Sequence, residues 1–318
     1  MNVLRFCKNW TLPLAMLSGV ALYLIYAHSP WLRSSGEMIR TLVDWLQPIL
    51  IFMMLFLTFC KVDWSDLRFC RWHVWLLLIQ GGGFALLGML LIWLPDFPAQ
   101  VLLEGGMLCL ICPTATAAAV VTRKLGGDAG HLTAYTMFIN LLAAFIIPLL
   151  LPVIHPQPGG SFAGAFGVIL GKVFPLLLCP LLAAFSLRWI VPALHARIAR
   201  LHELSFYLWA VALTLAIAVT TKSIVHSEVS VVLQFGLALV SLVCCIIQFC
   251  IGKKIGRMYG DEISAGQALG QKNTVLGIWL GYTFFTPVAA VAAGFYSIWH
   301  NVFNSRQLYL QRKRETSV

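Results

Sequence analysis

Charged residues are scarce in this sequence. Only 11% of its 318 residues are charged and only 12 are Asp or Glu, whereas 60% are hydrophobic and the mean hydropathy is +0.86. Soluble globular domains carry about 25% charged residues. The composition therefore excludes a soluble enzyme and a disordered chain, and the lack of a Gly-X-Y period excludes a collagen-like fibre. The net charge of +10 is assigned to loops, so no nucleic-acid partner is expected.

Long apolar runs recur along the whole chain. A membrane-spanning helix needs about 20 apolar residues. Ten such runs can be identified, at residues 10–27, 39–60, 74–94, 100–122, 129–154, 163–187, 205–224, 229–251, 262–284 and 286–308. They predict an all-α polytopic membrane protein with ten transmembrane helices. Its partner is then the lipid bilayer, and its expected location is the plasma membrane, or the inner membrane in a bacterium.

Lys and Arg are unevenly distributed between the two sides of these ten spans. If the N-terminus is cytoplasmic and residues at span ends are counted with the adjoining loop, 17 of the 22 Lys and Arg residues lie in inside segments and 3 in outside segments. The remaining two, Lys172 and Lys272, fall within spans. Cytoplasmic loops of membrane proteins carry the excess of positive residues. The distribution therefore predicts that both termini are cytoplasmic.

The nine cysteines do not indicate a disulfide framework, because those near the span ends lie on the predicted cytoplasmic side, which is reducing. Cys109 and Cys112 have the spacing of a redox or metal motif. No second pair of Cys or His residues completes four ligands, however. Neither a metal site nor a cofactor is predicted.

A loop rich in Pro and Gly, at residues 155–161, divides the chain into five spans and five spans. Because five is odd, the second half must enter the membrane from the opposite face. Two similar halves related in this way form an inverted repeat, which is common in secondary transporters. We therefore expect residues 1–155 and residues 156–318 to be two inverted five-helix repeats.

The fourth and ninth spans are each interrupted. The first interruption contains Pro113 at residues 111–116, and the second is a polar run at residues 266–273. Unwound backbone in hydrocarbon leaves polar groups unpaired unless they line a cavity or bind something. Matching interruptions in two halves point to a binding site near the membrane midplane. Two kinks packed against neighbouring helices are the alternative interpretation.

At these positions the sequence resembles the bile acid:sodium symporter family. Residues 112–122 read CPTATAAAVVT and Gly127-Asp128 follow, where the family has Cys-Pro-Gly-Gly-Thr-Ala-Ser-Asn, then Thr and Gly-Asp. Residues 268–273 read ALGQKN, where the family has Glu-x-Gly-x-Gln-Asn. Residues 296–301 read YSIWHN, similar to the closing Tyr-Ser-x-Trp-His-Asn of the family. The ten-span plan fits along the whole chain.

The resemblance implies a core domain of spans 3–5 and 8–10, in which broken helices 4 and 9 cross, and a panel domain of spans 1, 2, 6 and 7. It also implies an organic anion as substrate, bound between core and panel and driven by two sodium ions. The sequence departs from the family at the sodium ligands, because Ser, Asn, Glu and Gln of the family are replaced by Ala118, Ala119, Ala268 and Lys272. Sodium is therefore predicted to be absent or not required, with a proton as an alternative coupling ion.

The candidate substrate- and ion-binding residues are polar or cationic side chains within the spans: Gln80, Thr114, Thr116, Thr122, Thr136, Lys172, Gln271, Lys272, Asn273 and Asn301. Lys272 is predicted to direct its ammonium at carbonyl ends of the broken helices, where a sodium ion would bind, with Thr114, Thr116 and Gln271 as further candidate partners. Desolvation and a helix dipole disfavour this charge, whereas carbonyl contacts favour it. For Lys172, a position facing the cavity and a side chain that snorkels to water are equally compatible with the sequence.

These observations predict a secondary active transporter of a small organic anion, bile acid-like or a carboxylate, that works by alternating access without the usual two-sodium coupling. Two alternatives remain: a sodium-coupled symporter that holds the ion with backbone carbonyls, and a non-transporting sensor or scaffold. An enzyme is not expected, because Asp63, Asp66 and His73, the nearest approach to a catalytic cluster, are predicted to form a solvated loop. The oligomeric state is left open.

Overall fold

The computed structural model describes residues 11–62, 67–95, 97–156, 160–201, 204–226 and 228–315. The first ten residues, Asp63, Asp66 and the middle of the predicted linker lie outside these ranges. The described residues are mainly helical and contain no β-strand. The α-helices are α1 (Thr11–His28), α2 (Pro30–Ser34), α3 (Gly36–Cys60), α4 (Arg71–Trp93), α5 (Gln100–Ile111), α6 (Ala118–Lys124), α7 (Ala129–Ile154), α8 (Phe162–Leu177), α9 (Cys179–Ile190), α10 (Pro192–Ala199), α11 (Leu204–Val225), α12 (Val231–Met258), α13 (Glu262–Gly270), α14 (Thr274–Phe284) and α15 (Ala290–Glu315). A 3-10 helix, Pro287–Ala289, precedes α15.

Five of the described helices, α3, α4, α7, α11 and α12, are long and apolar enough to cross a membrane. A sixth crossing is added if the bent pair of α8 and α9 forms one span. Shorter apolar segments are Pro13–His28 within α1, together with α5 and α14. The described residues thus form an all-helical structure with five or six candidate membrane spans. A ten-span arrangement depends on how the remaining helices are combined.

The predicted sixth span is bent rather than straight. α8 and α9 meet at Leu178 with an angle of 43° between them. Pro175 lies inside α8, and Pro180 lies in the first turn of α9. A proline removes one backbone N–H from the helix ladder, and its ring crowds the carbonyl four residues earlier. The two prolines on either side of Leu178 account for the bend.

Polar side chains cap the beginnings of several helices. Asp128 accepts a hydrogen bond from the backbone N–H of His131 at 3.0 Å, at the start of α7. Ser161, Ser230 and Asn273 cap α8, α12 and α14 in the same way. Such a cap satisfies one of the N–H groups that a helix start leaves unpaired. Asn273 therefore begins a new helix in the interior of the predicted ninth span.

The helices form two groups that share a continuous apolar core. α1 packs against α11, and α3 packs against α9 and α11. In the other group, α4 packs against α5 and α7, while α12 packs against α5, α13 and α15. α14 contacts members of both groups, since it packs against α3, α11, α5 and α15. α14 therefore joins the two groups, and so does α8, which packs against α7 as well as against α3 and α9.

α12 and α13 approach each other closely because two glycines face α13. A Cβ atom at Gly252 would lie 2.6 Å from the carbonyl oxygen of Ala265, and one at Gly256 would overlap the carbonyl oxygen of Asp261. Small residues four apart on one helix face allow membrane helices to pack closely. This contact holds the first half of the interrupted ninth span in place.

Candidate functional site

The interruption between α5 and α6 contacts the interruption between α13 and α14. The two segments pair as a short antiparallel bridge. The backbone N–H of Ala115 donates to the carbonyl oxygen of Gln271 at 3.0 Å, and that of Asn273 donates to the carbonyl oxygen of Pro113 at 2.8 Å. From the sequence, such groups are expected to line a cavity or bind a ligand. These four groups instead satisfy one another, which removes the penalty of burying them unpaired.

Side chains from distant parts of the chain cap the carbonyl end of α5. Three carbonyl oxygens there accept hydrogen bonds from side-chain nitrogens: Cys109 from Nε2 of Gln248 at 3.1 Å, Leu110 from Nζ of Lys272 at 3.2 Å, and Cys112 from Nε2 of Gln80 at 2.8 Å. The last carbonyls of a helix have no partner within the helix, and they form the negative end of its dipole. Two amides and one ammonium satisfy them here.

The carbonyl end of α13 is capped in a similar manner. The hydroxyl of Thr114 donates to the carbonyl oxygen of Ala268 at 2.8 Å, and the hydroxyl of Tyr296 donates to that of Gly270 at 2.9 Å. Thr114 belongs to the first interruption and Lys272 to the second. Each interruption therefore caps the helix end of the other, through side chains as well as through the backbone bridge.

Lys272 is a buried lysine, with only 1% of its surface exposed. Within the described ranges no carboxylate lies at ion-pair distance from its ammonium. The titratable groups around it are the thiols of Cys109, Cys112, Cys244 and Cys245. The negative charge that faces the ammonium is therefore the carbonyl end of α5.

The other contacts of Lys272 differ from those expected. Thr114 donates its hydroxyl to Ala268 and not toward the ammonium. The backbone N–H of Lys272 is directed at Nδ1 of His300, at 3.4 Å. His300 comes from α15, in the closing motif at residues 296–301. It holds the second interruption against α15.

Three further candidates have hydrogen bonds that fix their roles. Gln80 connects α4 to two other elements, since its Oε1 accepts from the hydroxyl of Tyr135 at 2.8 Å while its Nε2 caps α5. Thr136 and Asn301 bond to carbonyls one turn earlier on their own helices. Gln80 is thus part of the cluster around the interruptions, whereas the described bonds of Thr136 and Asn301 are local.

Several buried polar atoms on the interruptions and their flanking helices have no hydrogen-bond partner among the described residues. They are Oε1 of Gln271, Nδ2 of Asn273, Oγ1 of Thr122 and both amide atoms of Gln267. Buried polar atoms are nearly always hydrogen-bonded, so such atoms indicate where water or a ligand completes a bond. Gln267 was not a sequence-based candidate, although it lies in the polar run at residues 266–273. Thr116, the remaining candidate here, is half-buried.

A family comparison identifies the class of protein to which this chain belongs. The sequence model of the SBF-like CPA transporter family matches residues 12–312. The chain belongs to the SBF-like CPA transporter family. The resemblance to bile acid:sodium symporters is thereby confirmed. The protein is therefore a multi-pass membrane protein of a transporter family and not an enzyme.

Two curated relatives of this SBF-like chain are named as sodium-dependent carriers. It is 25% identical over 219 residues to the "Uncharacterized sodium-dependent transporter YocS" of Bacillus subtilis, covering 65% of this chain and 63% of that protein. It is 28% identical over 242 residues to the "Probable sodium/metabolite cotransporter BASS1, chloroplastic" of Oryza sativa subsp. japonica, covering 72% of this chain and 55% of that protein. The match thus spans less than two thirds of either relative.

The second intramembrane lysine of this SBF-like protein lies away from Lys272. Lys172 is exposed on α8, and its Nζ lies 5.9 Å from the ring centroid of Phe284, a cation–π contact. Phe284 ends α14, whereas Lys272 precedes its start. The 11 residues of α14 span about 16 Å. The two lysines therefore lie toward opposite ends of α14 and do not flank one site, as they would if both lined the cavity at the interruptions.

Glu104 is a buried carboxylate whose role sequence reasoning missed. It is 3% exposed and accepts two hydrogen bonds from Thr286, from the backbone N–H at 2.8 Å and from the hydroxyl at 3.1 Å. Nε2 of His155 lies 3.5 Å from the same carboxylate. The described partners of Glu104 are Thr286 and His155, and Lys272 is not among them. Glu104 connects α5 to the segment before α15.

The prediction that His73 lies in a solvated loop is wrong. The side chain is fully buried at the start of α4, where its Nδ1 accepts from the backbone N–H of Cys70 at 3.2 Å and its Nε2 lies 3.0 Å from the carbonyl oxygen of His131. His131 in turn lies 2.8 Å from the carboxylate of Asp261. These contacts connect the starts of α4 and α7 with the α12–α13 turn, which is a structural role in this SBF-like protein.

Proposed function

We propose that this protein is a secondary active transporter of a small organic anion, bile acid-like or a carboxylate, in which the ammonium of Lys272 replaces a coupling sodium ion. The observation that carries this proposal is the hydrogen bond from the buried ammonium to Leu110, at the carbonyl end of α5. Membership of a transporter family supports the transport activity itself.

The proposed architecture has ten spans in two inverted repeats, residues 1–155 and 156–318. In this scheme α5 with α6, α8 with α9, and α13 with α14 are each one broken or bent span, and α15 is the tenth. The core comprises spans 3–5 and 8–10 and the panel comprises spans 1, 2, 6 and 7, with both termini in the cytoplasm. The packing of α1, α3, α9 and α11 in one group, and of α4, α5, α7, α12, α13 and α15 in the other, supports this division, with α8 of the panel lying against α7 of the core. Transport would proceed by alternating access at the boundary.

The residues at the crossing do not fit the usual sodium sites. Ala118, Ala119 and Ala268 offer methyl groups where oxygen ligands are expected, and the ammonium of Lys272 repels a cation. Helix-end carbonyls that could coordinate sodium already accept hydrogen bonds from Gln80, Gln248, Lys272, Thr114 and Tyr296. The chain's own side chains thus supply what the ion would supply.

An anionic substrate is supported by charge and by open donors. A positive charge that no carboxylate neutralises raises the local concentration of anions. The start of α14, at Asn273, adds the positive end of a helix dipole, which favours negative groups. The amides of Gln267, Gln271 and Asn273 offer hydrogen-bonding atoms of both kinds. Together these groups suit a carboxylate with polar substituents.

Two modes of coupling follow from the protonation state of Lys272. If the ammonium loses its proton during the cycle, transport is coupled to a proton gradient. If it stays charged, the protein behaves as a permanently cation-loaded carrier, which is a uniporter or an exchanger of anions. The pH dependence of flux distinguishes them, because only the first mode responds to an imposed pH gradient.

The test is anion flux into proteoliposomes, comparing the wild type with Lys272→Gln. The variant restores the family's residue and removes the ammonium. We expect wild-type flux that is equal in Na⁺ and K⁺, and either loss of flux or a gain of Na⁺ dependence in the variant. Lys222→Gln, which removes an exposed lysine at the end of α11, is the matched control. Unchanged transport, pH dependence and melting temperature in Lys272→Gln would contradict the proposal.

A sodium-coupled symporter is the second candidate, and the names of both relatives favour it. Thermal unfolding in Na⁺ and in K⁺ at equal ionic strength separates the two, because a ligand that binds the folded state raises its melting temperature. We expect no Na⁺-specific shift in the wild type and a shift in Ala268→Glu with Lys272→Gln. A Na⁺-specific rise in the wild type favours the symporter. Anion binding without flux would indicate the third alternative, a sensor or scaffold.

A further inference from the structure

Three side chains that can bind a metal ion meet where the starts of α4 and α7 lie against the α12–α13 turn. They are Cys70, which immediately precedes α4, His131 in the first turn of α7, and Asp261 in the turn itself. Their donor atoms, a thiol sulfur, a ring nitrogen and a carboxylate oxygen, all lie within 4.8 Å of one another. His131 and Asp261 are 130 residues apart along the chain. Sequence spacing, from which no metal site was predicted, therefore does not reveal this group.

The donor atoms of this group suit zinc. Zn²⁺ takes thiolate, imidazole and carboxylate ligands, usually four of them in a tetrahedron, whereas Ca²⁺ and Mg²⁺ take oxygen ligands. A nitrogen and an oxygen ligand of one zinc ion lie about 3.3 Å apart. Nδ1 of His131 and Oδ2 of Asp261 lie 2.8 Å apart, which is already close to that separation. A sulfur and a nitrogen ligand lie about 3.6 Å apart, so a side-chain movement of at most about 1 Å brings Cys70 to the ion.

Asp128 supplies a fourth donor. Its Oδ1 accepts from the backbone N–H of His131 at 3.0 Å, and its Oδ2 lies 3.7 Å from Nδ1 of the same histidine. The backbone N–H of Asp128 donates to Oγ of Ser264 at 2.8 Å, so the start of α7 is fixed against α13. Among the described ion pairs, the carboxylates of Asp128 and Asp261 have only His131 as a basic partner. A divalent cation would neutralise both carboxylates.

Two buried side chains orient the ligands. Nε1 of Trp72 donates to Oδ2 of Asp261 at 3.2 Å, and Nε2 of His73 lies 3.0 Å from the carbonyl oxygen of His131. Trp72 is 1% exposed and His73 is fully buried. Hydrogen bonds from residues that do not contact the metal fix the orientation of its ligands and strengthen binding. The side chains of His131 and Asp261 are themselves 22% and 14% exposed, so an ion can reach them from solvent.

We propose that Cys70, His131 and Asp261 bind a zinc ion, with Asp128 as the fourth ligand. On binding, the thiol of Cys70 releases its proton to solvent and its sulfur bonds to the metal. Nδ1 of His131 exchanges its hydrogen bond with Asp261 for a bond to the metal, and the ring then carries its proton on Nε2. The ion connects α4 and α7 to the α12–α13 turn and so stabilises their packing. The nine residues of α13 separate Asp261 from the second interruption, so the proposal does not depend on the transported anion.

The test measures metal binding to the purified full chain in detergent, prepared without a polyhistidine tag. Thermal unfolding is compared in EDTA and in ZnCl2 at equal ionic strength, because a ligand that binds the folded state raises its melting temperature. Absorption spectra with Co²⁺ in place of Zn²⁺ are the second measurement. A thiolate bound to Co²⁺ gives a charge-transfer band in the near ultraviolet, which reports on Cys70 in the folded protein.

The variants remove one ligand at a time. Cys70→Ser removes the sulfur ligand, and Cys250→Ser is its matched control, because Cys250 is an exposed cysteine of α12 outside the group. His131→Gln removes the nitrogen ligand, and His28→Gln, at the exposed end of α1, is its control. Trp72→Phe leaves all four ligands in place and removes one orienting hydrogen bond.

We expect Zn²⁺ to raise the melting temperature of the wild type and of both controls. Cys70→Ser and His131→Gln should lose most of this shift, and Cys70→Ser should also lose the thiolate band of Co²⁺. Trp72→Phe should bind Zn²⁺ about tenfold more weakly than the wild type. A wild type without a zinc-induced shift or without the thiolate band would overturn the proposal. A shift and a band that persist in Cys70→Ser would overturn it as well.

Discussion

The ammonium of Lys272 has helix carbonyls as its counter-charge, where a buried cation usually has a carboxylate. A helix end carries about half an elementary charge, so the ammonium is only partly compensated. It has three N–H donors and one described hydrogen bond, to Leu110. An incoming anion would interact with the uncompensated part of this charge and with the remaining N–H donors. A neutral side chain at this position, such as Gln, would lose that attraction.

Gln80 should be important for stability because it joins three elements. In Gln80→Leu, the carbonyl of Cys112 and the hydroxyl of Tyr135 both lose a hydrogen-bond partner while they stay buried. Each orphaned group costs about 1–3 kcal/mol. We therefore expect a clear drop in melting temperature in detergent, measured by tryptophan fluorescence.

The matched control for this substitution is Gln234→Leu. The amide of Gln234 donates to the carbonyl of Val229, five residues away at the start of α12, and it connects no separate elements. A change in melting temperature as large as that of Gln80→Leu would show that Gln80 does not have the connecting role assigned here.

At this scale the sequence predicts types of contact better than particular partners. The position of Lys272 directly after an interruption was sufficient to predict an ammonium directed at helix carbonyls. The identity of Leu110 and the roles of Gln248 and Tyr296 could not be predicted, because they depend on distances between segments that lie 26 to 162 residues apart along the chain. Gln267 could have been found, since it is a polar residue within the run that defined the second interruption.

The α12–α13 contact sets the position of the second interruption. Gly252→Leu would place side-chain atoms against the backbone of Ala265, which has no rotamer to move. Overpacking of this kind costs about 1–3 kcal/mol. We expect a lower melting temperature and loss of anion flux, because α13 must move and the bridge between the two interruptions moves with it.

Gly167→Leu is the control, because an added side chain at this glycine starts in open space. A Cβ atom at Gly167, on α8, has no neighbour within 4 Å. The variant should keep the wild-type melting temperature and flux. If Gly252→Leu also left the melting temperature and the flux unchanged, the close contact between α12 and α13 would not be needed for the site.

The elements differ from the sequence-based interpretation in ways that have physical causes. The polar run at residues 266–273 was interpreted as unwound, yet α13 continues through Gly270 and only the next three residues are non-helical. Polar residues remain helical there because α12 covers them and side chains cap the last carbonyls. Conversely, the bend at Leu178 was not predicted from Pro175 and Pro180. The sixth span is apolar on both sides of the bend, so the sequence there is a single apolar run.

For the whole molecule, the proposed topology can be tested with a membrane-impermeant maleimide on intact cells or right-side-out vesicles. Gly160→Cys, in the predicted outside loop, should be labelled, and Lys124→Cys, in a predicted inside loop, should not. The native cysteines give little background, because they are predicted to lie on the inside or within spans. Labelling of Lys124→Cys without Gly160→Cys would invert the topology.

The reciprocal capping of the two interruptions also has a consequence for biosynthesis. The carbonyl of Leu110 and the ammonium of Lys272 are 162 residues apart in the chain. At about 5–20 residues per second, a ribosome takes roughly 10–30 s to make that stretch. During this interval the end of α5 is in the membrane while the carbonyl of Leu110 lacks its hydrogen bond from Lys272. The carbonyl of Cys109 likewise lacks its hydrogen bond until Gln248 has been synthesised. A nascent chain halted before Lys272 would therefore expose unpaired backbone to lipid, which makes the first half dependent on chaperones or the translocon until the ninth span arrives.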